Sequence, residues 1–120
     1  QKQNFQLSVY ADGNQEIVDG VEFLLEYDPL KVELQSPVNG QFFTYLKNEI
    51  DSQEGEVKLI AIQELNVEQP MGEVLLATYT VTPKQTGAIK FNINQEKSSV
   101  AAYGGQELLN QIGPLTISIK

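Results

Sequence analysis

The chain has 120 residues, a single-domain length, with 41% hydrophobic and 20% charged residues and a formal net charge of −8. That charge argues against nucleic acid, whose phosphates need a basic footprint, and against an anionic membrane surface. With no Cys and no His, disulfide frameworks, zinc fingers, thiol nucleophiles and His-based acid–base catalysis are excluded.

A chain of this size buries roughly 65% of its unfolded surface, enough for a core without disulfides or metal. No apolar run has the length of a membrane helix. The polar start, Gln1 to Asn4, lacks the apolar segment of a signal peptide. If the protein is exported, its signal has been removed or lies outside this sequence.

Phe5, Leu7 and Val9 alternate with Gln6, Ser8 and Tyr10, which predicts a half-buried strand. Ala11 to Gln15 reads as a turn, with Gly13 and Asn14 tolerant of positive φ. Ile17-Val18 leads through Asp19-Gly20 into the clearest strand of the chain. There Val21, Phe23, Leu25 and Tyr27 occupy one face, and Glu22, Leu24, Glu26 and Asp28 the other. Asp28-Pro29 turns the chain, and Leu30, Val32 and Leu34 resume the alternation.

Ser36 to Gly40 is a loop by composition. Phe42, Phe43, Tyr45 and Leu46 fit either a short strand or a loop whose aromatics plug one end of the core. Asn48 to Glu56 reads as an exposed acidic turn around Gly55. Val57 to Ile62 is apolar except for Lys58, as in a strand covered on both faces or one with an unusually apolar outer face.

Asn66 to Gly72 is a loop containing Pro70. Val74 to Val81 sets Leu75, Ala77, Tyr79 and Val81 on one side and Thr78 and Thr80 on the other. Pro83 to Gly87 is a turn, and Ile89, Phe91 and Ile93 alternate again. Gln95 to Ser99 is a polar loop, Val100 to Leu109 is interrupted at Gly104-Gly105, and Leu115, Ile117 and Ile119 form a last strand. Eight or nine short strands without a 3.6-residue period predict an all-β domain spanning residues 1–120, either a two-sheet sandwich or a barrel.

Four stretches together resemble the cohesin family, receptor modules that capture dockerin modules. Asp19-Gly20-Val21-Glu22-Phe23-Leu24-Leu25-Glu26-Tyr27-Asp28-Pro29 is similar to the family's acid–Phe–x–Leu–x–Tyr–Asp–Pro stretch. Lys31-Val32-Glu33-Leu34 follows it, with a Pro/Gly loop behind. Gly72-Glu73-Val74-Leu75-Leu76-Ala77-Thr78-Tyr79-Thr80-Val81, then Gly87-Ala88-Ile89-Lys90-Phe91, resemble the family's late strand and turn. Leu115 to Ile119 resembles its last strand. The family has an initial strand ahead of the Phe5–Val9 segment, and this sequence begins after it.

The resemblance implies a nine-stranded jelly-roll sandwich with no catalytic role, outside the cell or on its surface. It implies a dockerin-type protein partner that carries its own calcium, and no cofactor or metal on this chain. It also implies a partner-binding sheet face supplied by Gly20, Glu22, Leu24, Leu59, Ala61 and Gln63, with Ile60 and Ile62 turned inward. In this register Glu22 falls where many members carry an Asp that bonds the partner, and Gly20 where some carry Asn. Two alternatives remain beside it: a spacer or adhesion domain of a larger surface protein, and a carbohydrate-binding sandwich. The latter would use Tyr10, Tyr45 or Tyr103 as stacking platforms in the absence of Trp.

Other acidic features read as solvated surface. Asp12 to Glu16 begins like a calcium loop but lacks the Gly and Glu that complete one. Glu49, Asp51, Glu54 and Glu56 read as an exposed loop. No spacing singles out two of the 16 carboxylates as a catalytic pair.

Overall fold

Strand alternation becomes two packed antiparallel sheets. The computed structural model describes residues 3–13, 17–64, 68–69, 72–102 and 115–119. Its strands are β1 (Phe5–Asp12), β2 (Val18–Tyr27), β3 (Val32–Asn39), β4 (Phe43–Asp51), β5 (Glu56–Gln63), β6 (Glu73–Pro83), β7 (Phe91–Ile93), β8 (Ser99–Ala102) and β9 (Leu115–Ile119). One sheet has the order β3-β6-β1-β9. The other has the order β4-β5-β2-β7, with β8 also on β2. The chain passes repeatedly between the sheets, while β4 and β5 form a hairpin within one, giving a jelly-roll sandwich.

The core lies between the sheets. Leu7, Val9 and Ala11 of β1 meet Val21, Phe23 and Leu25 of β2 within one buried cluster. Tyr79, Val81, Val57 and Leu59 belong to the same cluster. Two irregularities alter the expected faces. On β6 the pairing steps from Val9↔Ala77 to Tyr10↔Leu75, so Leu76 is an extra residue. Val74 and Leu76 therefore face inward before the bulge and Ala77, Tyr79 and Val81 after it, whereas strict alternation put Leu75 inside.

The second irregularity carries β3 through the stretch read as a loop. Pairing with β6 shifts between Gln35 and Val38. Ser36 adopts φ 56°, and Pro37, lacking an N–H, occupies the shift where no ladder bond is needed. Phe42 to Leu46 resolves in favour of a strand: β4 runs from Phe43 to Asp51, and the turn at residues 52–55 joins it to β5. The break at Gly104-Gly105 lies outside the described residues.

Gln69 and Ser98 are the buried polar residues among those described, and each replaces missing strand partners. The Gln69 amide donates Nε2–H to the Val18 carbonyl at 3.0 Å and accepts the Val18 N–H at 2.8 Å. Ser98 Oγ accepts the N–H of Leu24 at 3.1 Å, and the Leu24 carbonyl accepts the N–H of Asn94 at 2.8 Å. β7 and β8 lie along the same edge of β2, and between them the chain leaves the sheet as a 3-10 turn at Gln95–Lys97. Asn94 caps that turn by accepting the Lys97 N–H at 3.2 Å.

Candidate functional site: the outer face of the β4-β5-β2-β8 sheet

Directly opposed residues in an antiparallel pair point to the same side of the sheet. The register therefore defines three outward rows. Thr44, Ile62, Gly20 and Ala101 form the first. Lys47, Ile60, Glu22 and Ser99 form the second. Glu49, Lys58 and Leu24 form the third, which ends against the 3-10 turn rather than on a strand.

Gly20, Glu22 and Leu24 thus lie on the expected face. Leu24 is outside the core cluster yet only 3% exposed. It sits in a groove of about 520 Å³ whose lining includes Lys58, Ile60 and residues 96–99. Leu24 is the floor of that groove, while Glu22 remains exposed at its side.

On β5 the expected face is corrected. Leu59 is 0% exposed and Ala61 1%, and both belong to the core. Leu59 stands opposite Phe23, and Ala61 opposite Val21. Gln63 stands opposite the buried Phe43 and shares its inward side at the end of the strand. Ile60 and Ile62 take the outward positions, with Ile62 46% exposed. The physical reason is Lys58. Its ammonium must reach water, and Ile60 and Ile62 share its parity. In a run apolar on both parities, Val57 to Ile62, the single charged residue is the signal that fixes the face.

The outward strip is therefore Ile60 and Ile62, extended on β4 by Leu46, which is 63% exposed beside the pairing shift between Tyr45 and Lys47. Lys47 and Lys58 flank Ile60, and Lys47 Nζ lies 3.9 Å from Glu49. This arrangement sets exposed apolar area beside charged side chains of both signs.

Of the remaining candidates, Tyr45 and Asp51 make hydrogen bonds within the fold. Tyr45 is half-buried, edge-on to Phe43 at 6.3 Å between centroids, and does not offer an open stacking surface. Its hydroxyl donates to the Leu76 carbonyl and accepts the Gly40 N–H. Tyr10 lies on the other sheet, opposite Leu75 and Thr116. Tyr103 and residues 14–16 lie outside the described residues. Asp51 Oδ1 accepts the N–H groups of Gln53 and Glu54, so this carboxylate caps the β4–β5 turn. Among the described residues no group of three or more acidic side chains is arranged to hold a metal ion.

Burial raises the Tyr45 hydroxyl above its ordinary range, opposed by the Gly40 hydrogen bond. Tyr79 is raised further, by burial and by Tyr45, and its hydroxyl donates to Asn48 Oδ1 at 2.7 Å. Asn48 in turn donates to Asn39, so β3, β4 and β6 share one polar network.

The two antiparallel sheets and their connections define a jelly-roll β-sandwich. More narrowly, the chain has a cohesin-like fold. It is similar to the third cohesin of ScaC from Acetivibrio cellulolyticus, solved in complex with the ScaB dockerin, at 14% identity and TM-score 0.68 over 88% of this chain and 80% of that one. It is similar to the seventh ScaB type I cohesin from Pseudobacteroides cellulosolvens, at 16% identity and TM-score 0.62 over 87% and 73%. A type II cohesin–X–dockerin complex from Acetivibrio cellulolyticus is similar at 14% identity and TM-score 0.62, over 89% and 82%. No protein-family model matches the sequence, and no curated protein matches it.

Proposed function

We propose that this chain is a non-catalytic recognition module that binds a dockerin-type protein on the outer face of the β4-β5-β2-β8 sheet. The observation that carries the reading is the pair Ile60 and Ile62, turned to solvent on a central strand of a cohesin-like sandwich. Two solved cohesins of the same fold are in complexes with dockerins. The module works outside the cell or on its surface, and the calcium belongs to the partner.

Ile60, Ile62 and Leu46 supply the apolar contact, and Glu22 sets register. A wrong partner leaves Glu22 desolvated and unpaired, which penalises it. The test is affinity capture from the source organism's secreted and surface proteins, with and without a calcium chelator. Capture of a protein carrying paired calcium loops, lost on chelation and lost with Ile60→Asp, supports the reading. Capture that survives Ile60→Asp in a folded variant overturns the assignment of this face.

A further inference from the structure

Three of the eight basic residues of a chain with net charge −8 line one groove on this face: Lys47, Lys58 and Lys97. Glu22 and Glu96 line it too. Lys47 is held near Glu49 at 3.9 Å, but among the described residues no carboxylate pairs with Lys58 or Lys97. Lys47 and Lys58 are diagonal neighbours across β4–β5, a separation of about 7–8 Å. Between them lies Ile60, and the buried floor beside it is Leu24.

We infer that the partner seats an acidic side chain in this groove, next to an aliphatic one on Ile60. The inference rests on the proposed docking face and adds the chemistry of what docks there. Two ammonium groups on adjacent strands, beside an apolar floor, form a site for one carboxylate flanked by hydrocarbon. Docking lowers the local dielectric around Lys58 and strengthens the attraction. The long lysine stems add apolar contact of their own. A basic contact residue at the same place meets Lys47, Lys58 and Lys97 and is rejected.

The probe is a yeast-displayed library built on the ScaB dockerin of Acetivibrio cellulolyticus with its exposed positions randomised, selected on this chain in calcium. Enrichment of Asp or Glu at a contact position is expected. Lys58→Glu should weaken those clones by at least about tenfold, and selection on Lys47→Glu/Lys58→Glu should enrich Lys or Arg instead. Clones that depend on Ile60 but carry no acidic preference overturn this inference and leave the docking face standing. No enrichment, or clones indifferent to Ile60→Asp, overturn both. Circular dichroism of each variant confirms that it is folded, since Lys58 is exposed and its replacement removes no core contact.

Discussion

Gln69 takes the place of a strand beside Val18. β5 pairs with β2 from Gly20 to Glu26 and does not reach Val18. There the Gln69 side chain supplies one donor and one acceptor, at 3.0 and 2.8 Å, with both residues buried. One side-chain amide thus fixes the residues before β6 against the start of β2.

Gln69→Ala leaves the Val18 N–H and carbonyl without those bonds. Each buried backbone group left unpaired costs about 1–3 kcal/mol, so a loss of about 2–5 kcal/mol is expected. Gln69→Glu keeps an acceptor for the Val18 N–H but sets a carboxylate against its carbonyl. Its destabilisation should shrink as pH falls and the acid protonates, because the protonated form restores the donor. Urea unfolding at two pH values reads both effects. An unchanged midpoint for Gln69→Ala would show that the amide contributes nothing to the fold.

The sequence made the strands legible wherever one parity was polar, as in β1 and β2. It failed where local chemistry and tertiary pairing diverged. Ser36 and Pro37 read as loop, yet β3 continues past them because Val38 and Asn39 regain partners on β6. Leu75 and Leu76 are chemically equivalent, and only the shift opposite Val9 and Tyr10 decides which is buried. In the candidate site, Glu22 and Gly20 were assigned to the outward face because their strand alternates cleanly. Leu59 and Ala61 were placed on that face too, and wrongly, because Val57 to Ile62 is apolar on both parities and an isoleucine is as good a core residue as a leucine. Lys58 carried the correct answer. The cover over Leu24 was not legible, since the 3-10 turn that shares its groove is tied to the Leu24 backbone by long-range bonds from Ser98 and Asn94.

Gly55 is buried with φ +73° at the end of the β4–β5 turn. Its carbonyl accepts the Tyr27 N–H at 2.9 Å, tying the hairpin to the end of β2. A Cβ there would stand 2.1 Å from the Tyr27 carbonyl oxygen and 2.7 Å from Pro29 Cδ. Gly55→Ala should therefore cost about 2–5 kcal/mol, combining left-handed backbone strain with overpacking. Gly87→Ala is the control, because its φ is also positive but nothing lies within 4 Å of the added atom. Thermal melts of the two variants should separate clearly; equal shifts would mean that the contact with Tyr27 and Pro29 relaxes freely.

Tyr27, Tyr45 and Tyr79 all hold their protons more tightly in the fold than the ordinary value of 10.0, with burial the largest cause for each. For Tyr27 the negative charges of Asp51 and Glu33 add to it. In the unfolded chain these phenols ionise near pH 10, while in the fold they stay neutral. Their contribution to stability is intact below pH 10 and falls as pH rises through the raised values. Chemical denaturation between pH 8 and 12 should show stability declining above pH 10. The Tyr27 hydroxyl is buried with no hydrogen-bond partner among the described residues, so Tyr27→Phe should flatten that decline at little cost at pH 7. Tyr79→Phe should flatten it too but lose about 1 kcal/mol at pH 7 with the Asn48 bond. A decline of undiminished slope in both variants would assign alkaline unfolding to other groups.

Leu59 and Ile60 are adjacent, apolar and opposite in consequence. Leu59 is fully buried against Phe23, so Leu59→Ala should cost about 2–5 kcal/mol, and Leu59→Asp should prevent folding by burying an unpaired carboxylate. Ile60 faces outward, so Ile60→Asp should shift the melting temperature by only a few degrees while removing apolar contact from the middle of the proposed docking face. Melting curves decide the geometry first, without any partner. Once a partner is in hand, titration calorimetry decides the function: Ile60→Asp should weaken binding by about 100-fold, the effect expected of a central contact residue worth near 2–3 kcal/mol. A variant that melts like wild type and binds like wild type would move the docking face off β5. One that fails to fold would mean that Ile60, not Leu59, belongs to the core, and would reverse the parity that Lys58 imposes on the strand.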